Sequence, residues 1–210
     1  MNRGASIITN FGCDTGCKYC IWNNHPLKEC HTSLLSTDWD KLTAFITPYE
    51  KISISGGGDP FYDYNTHKPW FDKLCSVYSG KIDVHTSKIL PNTELTRFNK
   101  IVLHENYESF KMHLPEIRSI KNPLRLVFVV TNQLTIEKID DIISKRRELS
   151  CQLSFRELYE SDNNLINIYR YIDSIAKIEN IMFIKQRDYN IYFMPDNSIR
   201  NTFMGNNEKQ

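Results

Sequence analysis

Residues 4–20 read GASIITNFGCDTGCKYC. The stretch 4–10 has the small, β-branched and polar alternation of a strand, and a loop follows it. The loop carries Cys13, Cys17 and Cys20 at the spacing C-x3-C-x2-C, with Tyr19 just before the last thiol. Three thiolates on one short loop can ligate three of the four irons of a cubane iron–sulfur cluster and leave one iron without a protein ligand. An open iron points to a small molecule that binds there.

Outward from this stretch, strand and helix alternate along the chain. Strands are predicted over 4–10, 50–55, 81–86, 100–104, 124–131 and 151–156. Helices are predicted over 38–47, 67–79, 92–98, 107–120, 135–148 and 163–178. Thr37-Asp38 supplies a cap for the first helix. Trp70, Phe71, Leu74 and Tyr78 fall at helical spacing, as do Ile136, Ile139, Ile142 and Ile143. This order predicts an α/β fold with a parallel sheet and helices outside it. Right-handed crossovers would curl the six units into an open, partial (β/α)6 barrel, short of the eight of a closed one. Residues 180–186, 190–194 and 198–203 read as short strands, with a turn at Pro195-Asp196-Asn197. They predict a small C-terminal antiparallel β meander. The expected organisation is a core over 1–178, a β extension of the same domain over 179–204 and a frayed tail over 205–210.

The second strand, Lys51-Ile52-Ser53-Ile54-Ser55, runs into Gly56-Gly57-Gly58-Asp59-Pro60. Together with the cysteine loop, this stretch resembles the radical S-adenosylmethionine (radical SAM) superfamily, whose core is a six-unit partial barrel. The resemblance implies a 4Fe-4S cluster on Cys13, Cys17 and Cys20, with SAM chelating the open iron. It implies reductive cleavage of SAM to a 5′-deoxyadenosyl radical that abstracts hydrogen from a substrate. In such an enzyme the cofactor carries the hard chemistry, and the protein positions and shields it. The resemblance also implies that Gly57, Gly58 and Asp59 hold the methionine end of SAM, Asp59 standing where the family usually has Glu.

Further contacts follow from the same resemblance. Tyr19 would lie near the SAM adenine, and Thr86 and Ser87, at the end of the third strand, near its ribose or carboxylate. Arg125, unusual in a buried strand, would pair with the SAM carboxylate if it points inward. Trp22 would shield the cluster or line the cavity. His104, Glu105, Asn132 and Arg156 end the fourth, fifth and sixth strands, where substrate contacts are expected. Each also reads as an ordinary cap or surface residue, and both readings stay open at this point.

Other chemistries compete for the cysteines. His25 could complete a Cys3His zinc site, which would make the chain a zinc-stabilised binding module. Cys17 and Cys20 alone could form a dithiol redox pair, although Cys13 is then unexplained. Cys75 and Cys151 read as small core residues; Cys30 is close to the loop, with no role assigned.

The chain has 210 residues, 40% apolar content and a formal net charge of +1. This balance gives no electrostatic footprint for nucleic acid. No apolar run is long enough to span a membrane or serve as a secretory signal, so a cytoplasmic location is expected. The short chain favours a small-molecule substrate, nucleotide-like by similarity in size to the 7-carboxy-7-deazaguanine synthases. Those carry Asp-Thr where Ile21-Trp22 stands here. A flavodoxin- or ferredoxin-like electron donor is implied as a partner. The alternative enzyme is an activase that installs a glycyl radical in a partner protein.

Overall fold

The computed structural model describes residues 3–24, 32–158, 163–185 and 190–203. His25, Cys30 and the predicted tail over 205–210 lie outside the described residues. The chain divides into two compact units, Met1–Asn99 with Asp188–Gln210, and Lys100–Arg187. Residues 190–203 belong to the first unit.

The first unit is built on β1 (Gly4–Ile8), α1 (Ile21–Asn24), α2 (Trp39–Ile46), β2 (Lys51–Ser55), α3 (Tyr64–Val77), β3 (Lys81–Thr86) and α4 (Asn92–Leu95). β1 pairs with β2 in parallel, Ile7 opposite Ile54, and β2 with β3, Ile52 opposite Ile82. Parallel pairing needs a crossover, and the helices α2 and α3 supply it. Asp38 caps α2 by accepting from the Lys41 backbone N–H at 3.0 Å. α3 starts a turn earlier than its apolar spacing suggests, because Tyr64 and His67 are also buried and extend the stripe. Phe71, fully buried, meets the rings of Trp70 at 5.3 Å, Tyr64 at 5.4 Å and Phe61 at 5.9 Å.

The second unit holds β4 (Lys100–Glu105), α5 (Tyr107–Ser119), β5 (Leu124–Val129), α6 (Ile136–Leu149), β6 (Gln152–Arg156), α7 (Ile166–Ala176) and β7 (Met182–Ile184). Its strands pair in parallel in the order β4-β5-β6-β7, with Leu103 opposite Leu126, Leu126 opposite Leu153 and Phe155 opposite Phe183. Asn106 and Ser109 form a reciprocal capping box at the start of α5. Phe110 of α5 meets Phe128 edge-on at 5.4 Å, joining helix to sheet. Ile139, Ile142 and Ile143 of α6 are buried, while Ile136, in the first turn, is exposed.

The antiparallel meander expected over the tail is not what forms. β7 lies parallel to β6, because α7 is long enough to act as one more crossover. β8 (Asn190–Phe193) lies parallel to β1 in the first unit, Phe193 opposite Ile7. Only β9 (Ile199–Arg200) is antiparallel, paired to β8 through the predicted turn, where the Met194 N–H donates to the Ser198 carbonyl at 2.9 Å. The burial of Phe193 against Ile7 and Phe45 draws β8 to the sheet rather than into a separate layer. Among the described residues, no helix is long and apolar enough to cross a membrane.

Candidate cofactor site

In the first unit, β1, β2 and β3 are parallel neighbours, so their carboxyl ends meet along one edge. The cysteine loop follows β1, the glycine turn follows β2, and Thr86-Ser87 closes β3. Ligands of parallel α/β folds gather at this kind of edge.

The loop is tied down at both ends. Upstream, Phe11 stacks on the buried ring of His67 at 4.1 Å, and His67 Nδ1 is 2.7 Å from the Tyr62 carbonyl. Gly12 bridges to Gly58 in parallel fashion, and its carbonyl accepts from the Asp59 N–H at 2.8 Å. Downstream, Trp22 is buried in a cluster with Ile8 and Met194, with Cys20, Tyr192 and Phe203 packed against it. Trp22 therefore anchors the loop end to the core of this unit. In between, the Cys20 N–H donates to the Cys17 carbonyl at 3.1 Å.

The glycines are required first by this docking. Gly58 has φ +93°, and a Cβ there would strike the Gly12 carbonyl group, 2.7 Å from its carbon. A Cβ on Gly57 would come within 2.6 Å of the Asn10 nitrogen. The close approach that needs glycine is that of one loop to the other.

Asp59 is buried, 4% exposed, and knots the three strand ends together. Its Oδ1 accepts from the Phe61 N–H at 2.8 Å and the Thr86 hydroxyl at 2.7 Å. Its Oδ2 accepts from the Ser87 N–H at 2.5 Å and the Ser87 hydroxyl at 2.6 Å. Ser87 Oγ lies 2.9 Å from Thr15 Oγ1, inside the cysteine loop. Lys88 Nζ donates to Asp14 Oδ2 at 2.7 Å and sits 5.6 Å from the centre of the Tyr62 ring. The hydrogen bond to Asp14 holds the Lys88 ammonium above its ordinary pKa and the Asp14 carboxyl below its own, although burial works against both.

The thiols differ in setting. Cys13 is exposed, whereas Cys17 and Cys20 are half-buried. Burial pushes the Cys17 thiol up; a hydrogen bond from Tyr19 draws it back, and the neighbouring Cys13 and Cys20 sulfurs push it further up. A Cβ on Gly16, in the middle of the loop, would meet no atom within 4 Å, so the loop has an open side. Among the described residues, no three His, Cys, Asp or Glu side chains form a group able to hold a metal ion. The thiolates of a cubane each bind a different iron and need not meet at one point, as the ligands of a single zinc ion must. As a donor set, three thiols on one loop fit the ligands a 4Fe-4S cluster would need.

Sequence reading missed Asp14, Thr15, Lys88 and Gly12. The signal was present as polar and charged residues inside the cysteine loop, with matching ones just after β3, but nothing local pairs them.

The expected substrate contacts lie in the second unit. His104 is partly buried at the carboxyl end of β4; burial, then the Arg156 guanidinium at the end of β6, pushes its imidazole down to about 3. It is therefore neutral at pH 7. Ser154, opposite Val127 and on the same face of β6 as Arg156, is fully buried, and its hydroxyl has no partner among the described residues. Glu105 instead faces α5, where it accepts from the Ser109 hydroxyl and pairs with His113 Nδ1 at 2.9 Å. Burial pushes its carboxyl up, and these two partners draw it back. These contacts tie the end of β4 to the first two turns of α5. Asn132 is exposed in the turn before α6. Arg125 lies near the amino end of β5, with Nε and Nη2 donating to Gln152 Oε1 at 3.2 and 3.0 Å. The structure thus brings Arg125 to the strand end opposite to His104 and Arg156. That amino end also holds a cleft of about 330 Å³, lined by Lys100, Leu124, Arg146, Arg147, Cys151 and Gln152.

No protein-family model matches the chain, and no curated protein matches it in sequence. Solved structures of SuiB from Streptococcus suis are similar in fold. SuiB bound to S-adenosylmethionine gives a TM-score of 0.65 at 14% identity, over 98% of this chain and 62% of SuiB. SuiB bound to the precursor peptide SuiA gives 0.68 at 15% identity, over 100% and 62%. A further SuiB structure gives 0.66 at 15% identity, over 100% and 63%. The likeness is one of fold, and this chain spans less than two thirds of SuiB's length.

Proposed function

We propose that the chain is a radical SAM enzyme. The observation that carries this reading is the docking of the three-cysteine loop on a glycine turn at the carboxyl ends of adjacent parallel strands. The fold likeness to a protein solved with SAM bound supports it independently of the motif. Cys13, Cys17 and Cys20 hold a 4Fe-4S cluster, and the backbone of Gly57 and Gly58 lies at the methionine end of SAM, with Tyr19, Thr86 and Ser87 beside the rest of it. When bound and reduced, the cluster and SAM supply a 5′-deoxyadenosyl radical that takes a hydrogen atom from the substrate. The chain's own part is to present three thiolates on a loop clamped at Phe11, Gly12 and Trp22, so that the loop keeps its shape around the group.

His104 and Arg156 remain the residues proposed to meet the substrate. SuiB with its precursor peptide favours a peptide as the substrate class. A flavodoxin- or ferredoxin-like donor would supply the electron.

The test is formation of 5′-deoxyadenosine from SAM by anaerobically reconstituted, dithionite-reduced protein, against a Cys13→Ala/Cys17→Ala/Cys20→Ala control. Product that depends on the cysteines is expected. Zinc without iron or sulfide in the purified protein would sink the reading and favour the zinc-stabilised module.

A further inference from the structure

The resemblance gives Asp59 the task of holding the SAM ammonium, and the structure leaves it no means to do so. A carboxylate offers about four lone-pair positions. Four donors already occupy them: the Phe61 N–H, the Thr86 hydroxyl, and the N–H and hydroxyl of Ser87. With Asp59 4% exposed, no acceptor position faces a ligand.

The same bonds lead toward Cys13. The Ser87 hydroxyl has one proton, and that proton goes to Asp59 Oδ2. Ser87 Oγ must then accept from the Thr15 hydroxyl across their 2.9 Å contact. Thr15 in turn meets the Cys13 sulfur twice: its backbone N–H donates to Sγ at 3.4 Å, and its Oγ1, the atom held by Ser87, accepts from the thiol at 3.4 Å. Lys88 holds the preceding residue, Asp14, from the same segment after β3. Donors to cluster sulfurs, and the groups that orient the ligands, set both affinity and potential.

We propose that Asp59, Ser87 and Thr15 form a fixed hydrogen-bond chain that positions the Cys13 sulfur, and that Asp59 serves this chain instead of binding SAM. Asp59, Ser87 and Thr15 are positioning residues, and the inference rests on Cys13 being a cluster ligand.

The experiment uses the full chain, reconstituted with iron and sulfide, as wild type, Thr15→Val, Ser87→Ala, the double variant and Asp59→Asn. Three readouts are taken: iron retention against a chelator, the midpoint potential with the spectrum of the reduced cluster, and the affinity for SAM. Each single variant is expected to lose about 10- to 100-fold in iron retention and to shift the SAM-free potential in one common direction. The double variant should lose no more than the worse single one, because both break one chain. Thr15→Ser should restore wild-type values, which separates the hydroxyl's role from a folding defect. An Asp59→Asn protein with a wild-type SAM-free spectrum and potential, but weakened SAM binding, would overturn the proposal. So would a loaded wild type whose potential is unmoved by Thr15→Val. A wild-type chain that takes up no iron and sulfide would overturn the cluster reading itself, and the proposal with it.

Discussion

Replacing Gly58 with Ala places a methyl group against the backbone of Gly12, and its cost can be worked out in parts. The backbone at φ +93° is a conformation that L side chains rarely adopt, worth about 1–2 kcal/mol. The methyl would sit 2.7 Å from the Gly12 carbonyl carbon, and moving packed backbone aside costs about 1–3 kcal/mol. Displacing that carbonyl breaks its bond from the Asp59 N–H, now 2.8 Å, for about 1 kcal/mol more. Together the loss is about 3–6 kcal/mol, and at roughly 2–4 °C per kcal/mol for a chain of this size Tm falls by roughly 6–24 °C. Gly16→Ala is the control. Its φ is also positive, at +62°, but no atom lies within 4 Å, so only the backbone part, about 1–2 kcal/mol, should appear. Urea unfolding of both variants, followed by far-UV circular dichroism, measures the difference. A Gly58→Ala protein no less stable than Gly16→Ala would refute the reasoning, since the two loops would then not be in the close contact on which the site is built.

Two further outcomes are expected. The His104 imidazole is held at about 3 by burial and Arg156, below its ordinary value near 6.5. The folded state thus refuses a proton that the unfolded chain accepts, so stability is full above pH 6.5 and is lost as pH falls toward 3, by at most about 1.4 kcal/mol per pH unit. His104→Gln should flatten the urea midpoint between pH 6.5 and pH 4, and a slope equal to wild type would show that His104 titrates normally. Phe71→Ala removes a fully buried ring from the aromatic cluster of α3 and should cost about 3–5 kcal/mol; an unfolding free energy within 1 kcal/mol of wild type would mean that the cluster is not packed as described.

The local signals carried the reading a long way. Strand and helix periods placed β1 to β6 and α2 to α6 within a few residues of where they form, because the apolar stripe of each element is written at its own spacing. The cysteine spacing and the glycine turn marked the candidate site for the same reason, as each is complete within one short stretch. The tail was misjudged because strand direction is not a local property. Residues 182–184 and 190–193 have ordinary strand composition, and only the length of α7 and the burial of Phe193 against β1 decide with whom, and in which direction, they pair. The partners of Glu105 were not legible for a related reason. It stands at a strand end, where ligands gather, but one step of the period-2 alternation turns it away from the His104 face and onto α5.

By itself, the sequence determined the order of the elements, the three thiols and the place of the glycine turn. These depend on spacings of a few residues within one short stretch. The tertiary structure alone decided which groups Asp59 meets. Its partners lie up to 28 positions away, and the next link, from Ser87 to Thr15, spans 72. No period or spacing encodes such a meeting. It arises because parallel pairing of β1, β2 and β3 brings three loop starts to one edge, where buried polar groups must find each other once water is excluded.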